Sequence, residues 1–309
     1  MRSLLIVLAL AGCYRNSGPA APSNNAAAPS YEATANDELG FLPVDADLVI
    51  GIDMANARRS ALWQKLEPQL IARLGPELDR VRAECGVDPL QSLERATLAM
   101  KMLSGDRVKG VFVLRGLGSP RMIECFSKQN VREGGKSTDD RGVLVMHRPS
   151  RKDMTAAVAT VGTTMVIHFD ASANRDTVAA VLAGGAPLRS SPAFLSLYAR
   201  REPGSTVWGM LNGSSPIFDA MGGIGARPKS VDGTLTVTDR LAIAVRMTMP
   251  SAGDADRLRM EIDKAGAMAR NFVERLDTAV KGDSLQIDVV ITEDQLRGLI
   301  GMMGGAIGP

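Results

Sequence analysis

Chemistry beyond packing would have to start, in this chain of 309 residues, from two histidines, three cysteines and a few glycine-rich strings. His147 and His168 stand at the ends of strand-like runs, with no second His or Cys at metal-ligand spacing. Asp170 follows His168 by two positions and so shares its face of a strand, an arrangement read as a hydrogen-bonded structural histidine. The acid pairs Asp45/Asp47 and Asp139/Asp140 read as turn and loop residues, outside any apolar setting that would tune a carboxylate for acid catalysis. Gly134-Gly135-Lys136-Ser137 has the ending of a phosphate-binding loop. Asn130 occupies the place of that motif's first glycine and Glu133 would oppose phosphate, so the string reads as a loop. Gly222-Gly223-Ile224-Gly225 runs into Ala226-Arg227-Pro228, where proline removes a donor, and reads as a linker. No metal, cofactor or nucleotide is expected. With 36 basic and 34 acidic residues interspersed, no basic stripe points to nucleic acid.

The third cysteine has a different context. Arg2 precedes an apolar run of about ten residues, half of what a bilayer span requires but suited to a signal peptide. The run ends in Leu10-Ala11-Gly12-Cys13, which resembles the lipobox of bacterial lipoproteins. The resemblance implies a signal peptide over residues 1–12 and a mature chain that begins at a diacylglyceryl-modified Cys13. Tyr14 rather than Asp follows, which by the enteric rule implies an outer-membrane anchor, with the folded part facing the periplasm. Residues 13–37, rich in Ser, Asn, Pro and Ala, are expected to form a disordered tether. With Cys13 taken by lipid, Cys85 and Cys125 remain as an even pair in an oxidising compartment and are expected to be joined, two free buried thiols being the alternative.

Two further resemblances bear on function. Gly282-Asp283-Ser284-Leu285 matches the string that carries the nucleophile of the GDSL lipases and esterases, which implies Ser284 as nucleophile with a histidine downstream. Both histidines lie upstream, and Ser284 reads as opening a strand after a turn, so a divergent Ser hydrolase is the last of three readings. The opening from Phe41 to Asp53, with Ser60-Ala61-Leu62-Trp63 and Cys85-Gly86-Val87-Asp88-Pro89-Leu90, is similar to a phrase in uncharacterised exported bacterial lipoproteins. It implies an extracytoplasmic α+β domain.

The elements that must position these residues alternate. Strands are expected at 46–53, 96–103, 109–115, 143–147 and 164–169, with short helices at 119–128 and 174–182. Residues 60–84 are helical in pattern, but Pro68 and Pro76 are expected to divide them into two or three pieces. The same grammar returns later: a strand at 205–211, a short helix near 215–221, a hairpin turning at Asp239-Arg240, and a strand at 284–291 leading into a helix from Glu293. A long helix is expected from Asp254 through Leu258, Ile262, Ala265, Ala269, Phe272, Leu276 and Val280.

The architecture so implied is α+β: two related lobes, 38–189 and 190–309, of mainly antiparallel sheet with helices packed on one face. Aromatics make up 4% against 16 methionines, which predicts an aliphatic core with Met as filler. The leading functional expectation is a non-enzymatic envelope lipoprotein that binds or supports a protein partner. The second is a carrier or chaperone for an apolar ligand in a cleft lined by residues such as Met210, Met221, Met247 and Met249.

Overall fold

A computed structural model describes residues 38–103, 107–148, 154–220 and 226–306. The expected signal peptide and tether, with Cys13, the string 222–225 and Met221, therefore lie outside the described residues. The fold is mixed α+β with antiparallel sheet. It divides into two compact units, one of Gln69–Ser196 with the residues up to Gly51, the other of Ile52–Pro68 with those from Leu197 on.

In the first unit, α1 (Glu38–Phe41) leads into β1 (Leu48–Asp53). The chain then leaves this unit for α2 (Met54–Arg59) and the start of α3 (Ala61–Cys85), which belong to the second, and from Gln69 on returns to it. There follow α4 (Pro89–Ser92), the hairpin β2 (Arg95–Met102) and β3 (Val108–Arg115), α5 (Pro120–Arg132), strands β4 (Lys136–Asp140), β5 (Val143–His147), β6 (Thr155–Val161) and β7 (Thr164–Asp170), α6 (Arg175–Leu182), and α7 (Pro192–Tyr198), in which the unit ends at Ser196. The strand order is β1-β2-β3-β7-β6-β5-β4. β3 is its buried centre, with Val111, Phe112, Val113 and Leu114 all covered. Gly110 sits there because a Cβ would come within 2.3 Å of the Ala99 carbonyl oxygen and 2.7 Å of the Phe169 ring.

The second unit holds β8 (Val207–Asn212), α8 (Ile217–Ala220), the hairpin β9 (Ser230–Val237) and β10 (Leu241–Thr248), α9 (Ala252–Ala269), the hairpin β11 (Arg275–Lys281) and β12 (Ser284–Ile291), and α10 (Glu293–Ala306). Its strand order, β8-β9-β10-β12-β11, repeats the walk of the first unit. β8, β9, β10, β12 and β11 take the places of β1, β2, β3, β7 and β6, and the hairpin β5-β4 is an addition at one edge of the first unit. The β9-β10 hairpin turns at Asp239-Arg240, with Leu241 opposite Val237. Among the described residues no helix is long and apolar enough to cross a membrane.

Four expectations need correction. The region 61–85 is one helix despite its prolines. Pro68 and Pro76 both sit on its exposed side, as do Gln64 and Ala72, whose carbonyls the two rings displace and which water can satisfy. The long helix of the second unit stops at Ala269; Phe272 is exposed in the turn that follows and Leu276 and Val280 belong to β11. β11 alternates exposed and half-buried residues along its length and pairs with β12 across the turn at Gly282-Asp283. Ser284 therefore follows one strand as well as opening the next. Lastly, Lys136, Ser137, Asp139 and Asp140 form a strand rather than a loop. Arg141 (φ 54°) and Gly142 (φ 85°) supply the two-residue turn that folds it onto β5. β6 is a further strand without a sequence signal; its Thr-Ala-Ala-Val-Ala-Thr-Val string is too poor in large side chains to show alternation.

Candidate functional site

The residues singled out for chemistry are, one after another, committed to neighbours of their own. Cys85 at the end of α3 and Cys125 in α5 are joined as a disulfide, their Cα atoms 5.1 Å apart. Beside it Arg132 donates to Glu84 at 2.7 Å, so the same two helices are held by a bond and an ion pair. The imidazole of His168 lies on β7 under α6, with Nδ1 3.1 Å from Thr177 Oγ1. Thr177 Oγ1 donates to the Asn174 carbonyl oxygen and accepts from the Asn174 N–H, which assigns the Nδ1 proton to His168 as donor. Nε2 stands 3.8 Å from Asp170 Oδ2. Burial pushes the His168 pKa below its ordinary value; Asp170 pulls it up and Lys109 pushes it further down. His147 ends β5 opposite Lys136. Among the described residues no group of three His, Cys, Asp or Glu is placed to hold a metal.

Of the two acid pairs, Asp139 and Asp140 end β4, and Asp45 and Asp47 serve the turn before β1. Burial raises the Asp45 pKa, but the ammonium groups of Lys109 at 3.0 Å and Lys101 at 3.5 Å more than reverse this and hold it low. Asp47 is buried and accepts the Met102 N–H at 2.9 Å. Ser284 faces Lys281 and Thr248 in the sheet, and the second unit contains neither histidine. Of the methionines, Met249 is 0% exposed in a core with Ala255, Leu258 and Leu285, Met247 packs against that core, and Met210 is buried on β8. These three are packing residues.

What remains is an apolar groove in the first unit that the sequence does not announce. The segment after α1 runs beside the chain that leaves α6: Val44 donates to the Ala186 carbonyl at 2.9 Å, Leu188 to the Leu42 carbonyl at 2.6 Å, and Pro43 bridges Pro187. Gly184 at φ 67° ends the helix and turns the chain back toward Pro43. Phe41, Leu42 and Leu188 are buried beneath. Between the two segments lies a cleft of about 170 Å³, walled by Phe41, Leu42, Pro43, Ala180, Val181 and Pro187, with no titratable side chain in its lining. It is smaller than the roughly 300–1,000 Å³ of a typical small-molecule site and suits an apolar side chain or the end of an acyl chain. Residues 40–43 and 180–187 are too far apart in sequence for any local signal to join them. Only the terminator Gly184-Gly185-Ala186-Pro187 is readable.

Solved structures of TP0453, an envelope protein of Treponema, resemble the chain, among them three crystal forms. Crystal form III aligns over 85% of this chain and 96% of that one, at 13% identity and a TM-score of 0.55. Form IV aligns over 85% and 96%, at 12% identity and 0.51. Form I aligns over 87% and 98%, at 15% identity and 0.50. The likeness is one of fold. No protein-family model matches the chain, and no curated protein sequence matches it significantly.

Proposed function

We propose that this protein is a non-enzymatic envelope lipoprotein, anchored through Cys13 to the outer membrane and facing the periplasm, whose folded part binds or supports a protein partner. The observation that carries the reading is the groove in the first unit, which offers apolar contact and shape but no acid, base, nucleophile or metal ligand. A protein partner that inserts one apolar side chain there would gain the contact typical of an interface anchor. The similarity of fold to an envelope protein agrees with this setting.

The size and lining of the same groove favour a second reading, in which the end of an apolar ligand is held there and the protein acts as a carrier. One experiment separates the two. Protein extracted from its own membrane in mild detergent is weighed in native form and again after denaturation, beside the groove variant Val181→Arg. Docking predicts an acylated chain at Cys13 and a protein adduct that Val181→Arg loses; a lipid adduct lost by that variant selects the carrier. An unacylated mature chain overturns the anchor.

A further inference from the structure

β4 is the terminal strand of the first unit and β11 that of the second. Both are edges that would hydrogen-bond another strand, yet their charges are arranged in opposite senses. In the β4-β5 hairpin Asp140 pairs with Val143 across the two-residue turn Arg141-Gly142, and residues flanking such a turn exchange both backbone bonds with each other. Counting back by twos, Thr138 and Lys136 also aim their backbone groups at β5, opposite Val145 and His147. Ser137 and Asp139 then turn theirs outward.

Consider a second copy laid antiparallel along this edge, with the two-fold axis at Thr138. Ser137 then faces Asp139 of the second copy, and both have outward backbone groups, so each such pair exchanges both of its bonds. Lys136 faces Asp140 of the second copy in the non-hydrogen-bonded positions, where side chains approach most closely, and the symmetry repeats this contact. A shift of the axis to Asp139 would set that carboxylate against itself. Charge thus selects one register. The same operation on β11 about its central Thr278 sets Arg275 against Lys281, like against like, so that edge is guarded against its own copy.

β4 is also held ready. Asn130, buried at the end of α5, donates through Nδ2 to the Lys136 carbonyl at 2.9 Å and to Ser137 Oγ at 3.0 Å, while Arg148 Nε donates to its Oδ1 at 3.2 Å. Lys136, Thr138 and Asp139 are exposed. The competing partner of Asp140 is Arg141, at 3.3 Å, and both side chains are open to water, where such a pair contributes little.

We infer that β4 docks a second copy of this chain, edge to edge and antiparallel about Thr138, in a weak and salt-sensitive homodimer. The shortness of the strand, Lys136–Asp140, keeps the association concentration-dependent. The test is sedimentation equilibrium over a wide concentration range, on the chain from residue 13 with Cys13→Ser. The wild type is expected to dimerise. Lys136→Asp alone and Asp140→Lys alone should each weaken dimerisation by about tenfold, because each sets like charges opposite one another. An equimolar mixture of these two single variants should recover dimerisation as a heterodimer, which a loss of folding would not allow. A wild type that stays monomeric at every concentration overturns the proposal. So does a dimer indifferent to both substitutions, or a mixture that fails to recover.

Discussion

His168 donates from Nδ1 to Thr177 and is largely withdrawn from water, so its neutral form is the one that the native structure accommodates. Burial is the main cause of its lowered pKa, Lys109 adds to it and Asp170 opposes it. The unfolded chain therefore binds the proton more readily, and native stability falls as the pH drops below about 6.5 toward the native value, with no contribution above it. Urea unfolding of wild type and His168→Asn at a series of pH values checks this. The variant should keep the bond to Thr177 and show a flatter decline below about 6.5, whereas parallel declines would remove His168 from the account. The sequence placed His168 and Asp170 on one strand face, because side-chain alternation is local. It did not name Thr177, which reaches His168 from a helix, nor the groove residues, which meet across distant segments. The methionines carried the opposite difficulty: composition announces them, but a Met in a core and a Met in a cleft look alike until their neighbours are known.

Among the elements, two patterns look alike in sequence and differ in the fold. Leu276 and Val280 are four apart, a spacing that continues a helical stripe and equally keeps both residues on one face of a strand. Thr278 between them decides the matter: its hydroxyl donates to Asp263 Oδ1 at 2.6 Å, from the same face as its two apolar neighbours. α3 shows the opposite case: its prolines are exposed, while Leu62 near its start and Leu78, Val81 and Cys85 toward its end are the residues it buries. Each proline removes a backbone bond without obstructing that packing. Replacing both, Pro68→Ala with Pro76→Ala, is expected to raise stability by a few kcal/mol, on the order of the helix-propensity gap between the two residues. Thermal unfolding reads this directly, and a fall in midpoint would mean that the prolines shape a bend on which the fold depends. Capped elements were the most legible. Ser119 opens α5 and Asn174 opens α6 by accepting from the first turn, chemistry that is written within four residues.

For the whole molecule, the recurrence of one strand order in both units is the strongest organisational fact, and the alternation of strands and helices made it partly visible in advance. The added hairpin β5-β4 was not visible, because Lys136-Ser137-Thr138-Asp139-Asp140 is polar throughout and carries no hydrophobic period. The first unit has a covalent clamp of its own, closing a loop with a sequence separation of 40 between α3 and α5. Loss of the clamp in the double variant Cys85→Ala, Cys125→Ala should cost roughly 4 kcal/mol in the chain-entropy account. Urea titration of the oxidised wild type against that variant measures it, and a difference below about 1 kcal/mol would show that native packing of α3 on α5 already supplies the constraint.

Residues 52–68 belong to the second unit although the chain produces them early. The Asp53 N–H needs the Thr206 carbonyl, the Leu62 N–H needs that of Thr238, and Lys65 needs Glu293. During synthesis this strip emerges long before any of those partners exists, and it waits through the making of nearly everything else. A chain cut short before Glu293 is therefore unfinished near its beginning as well as at its end.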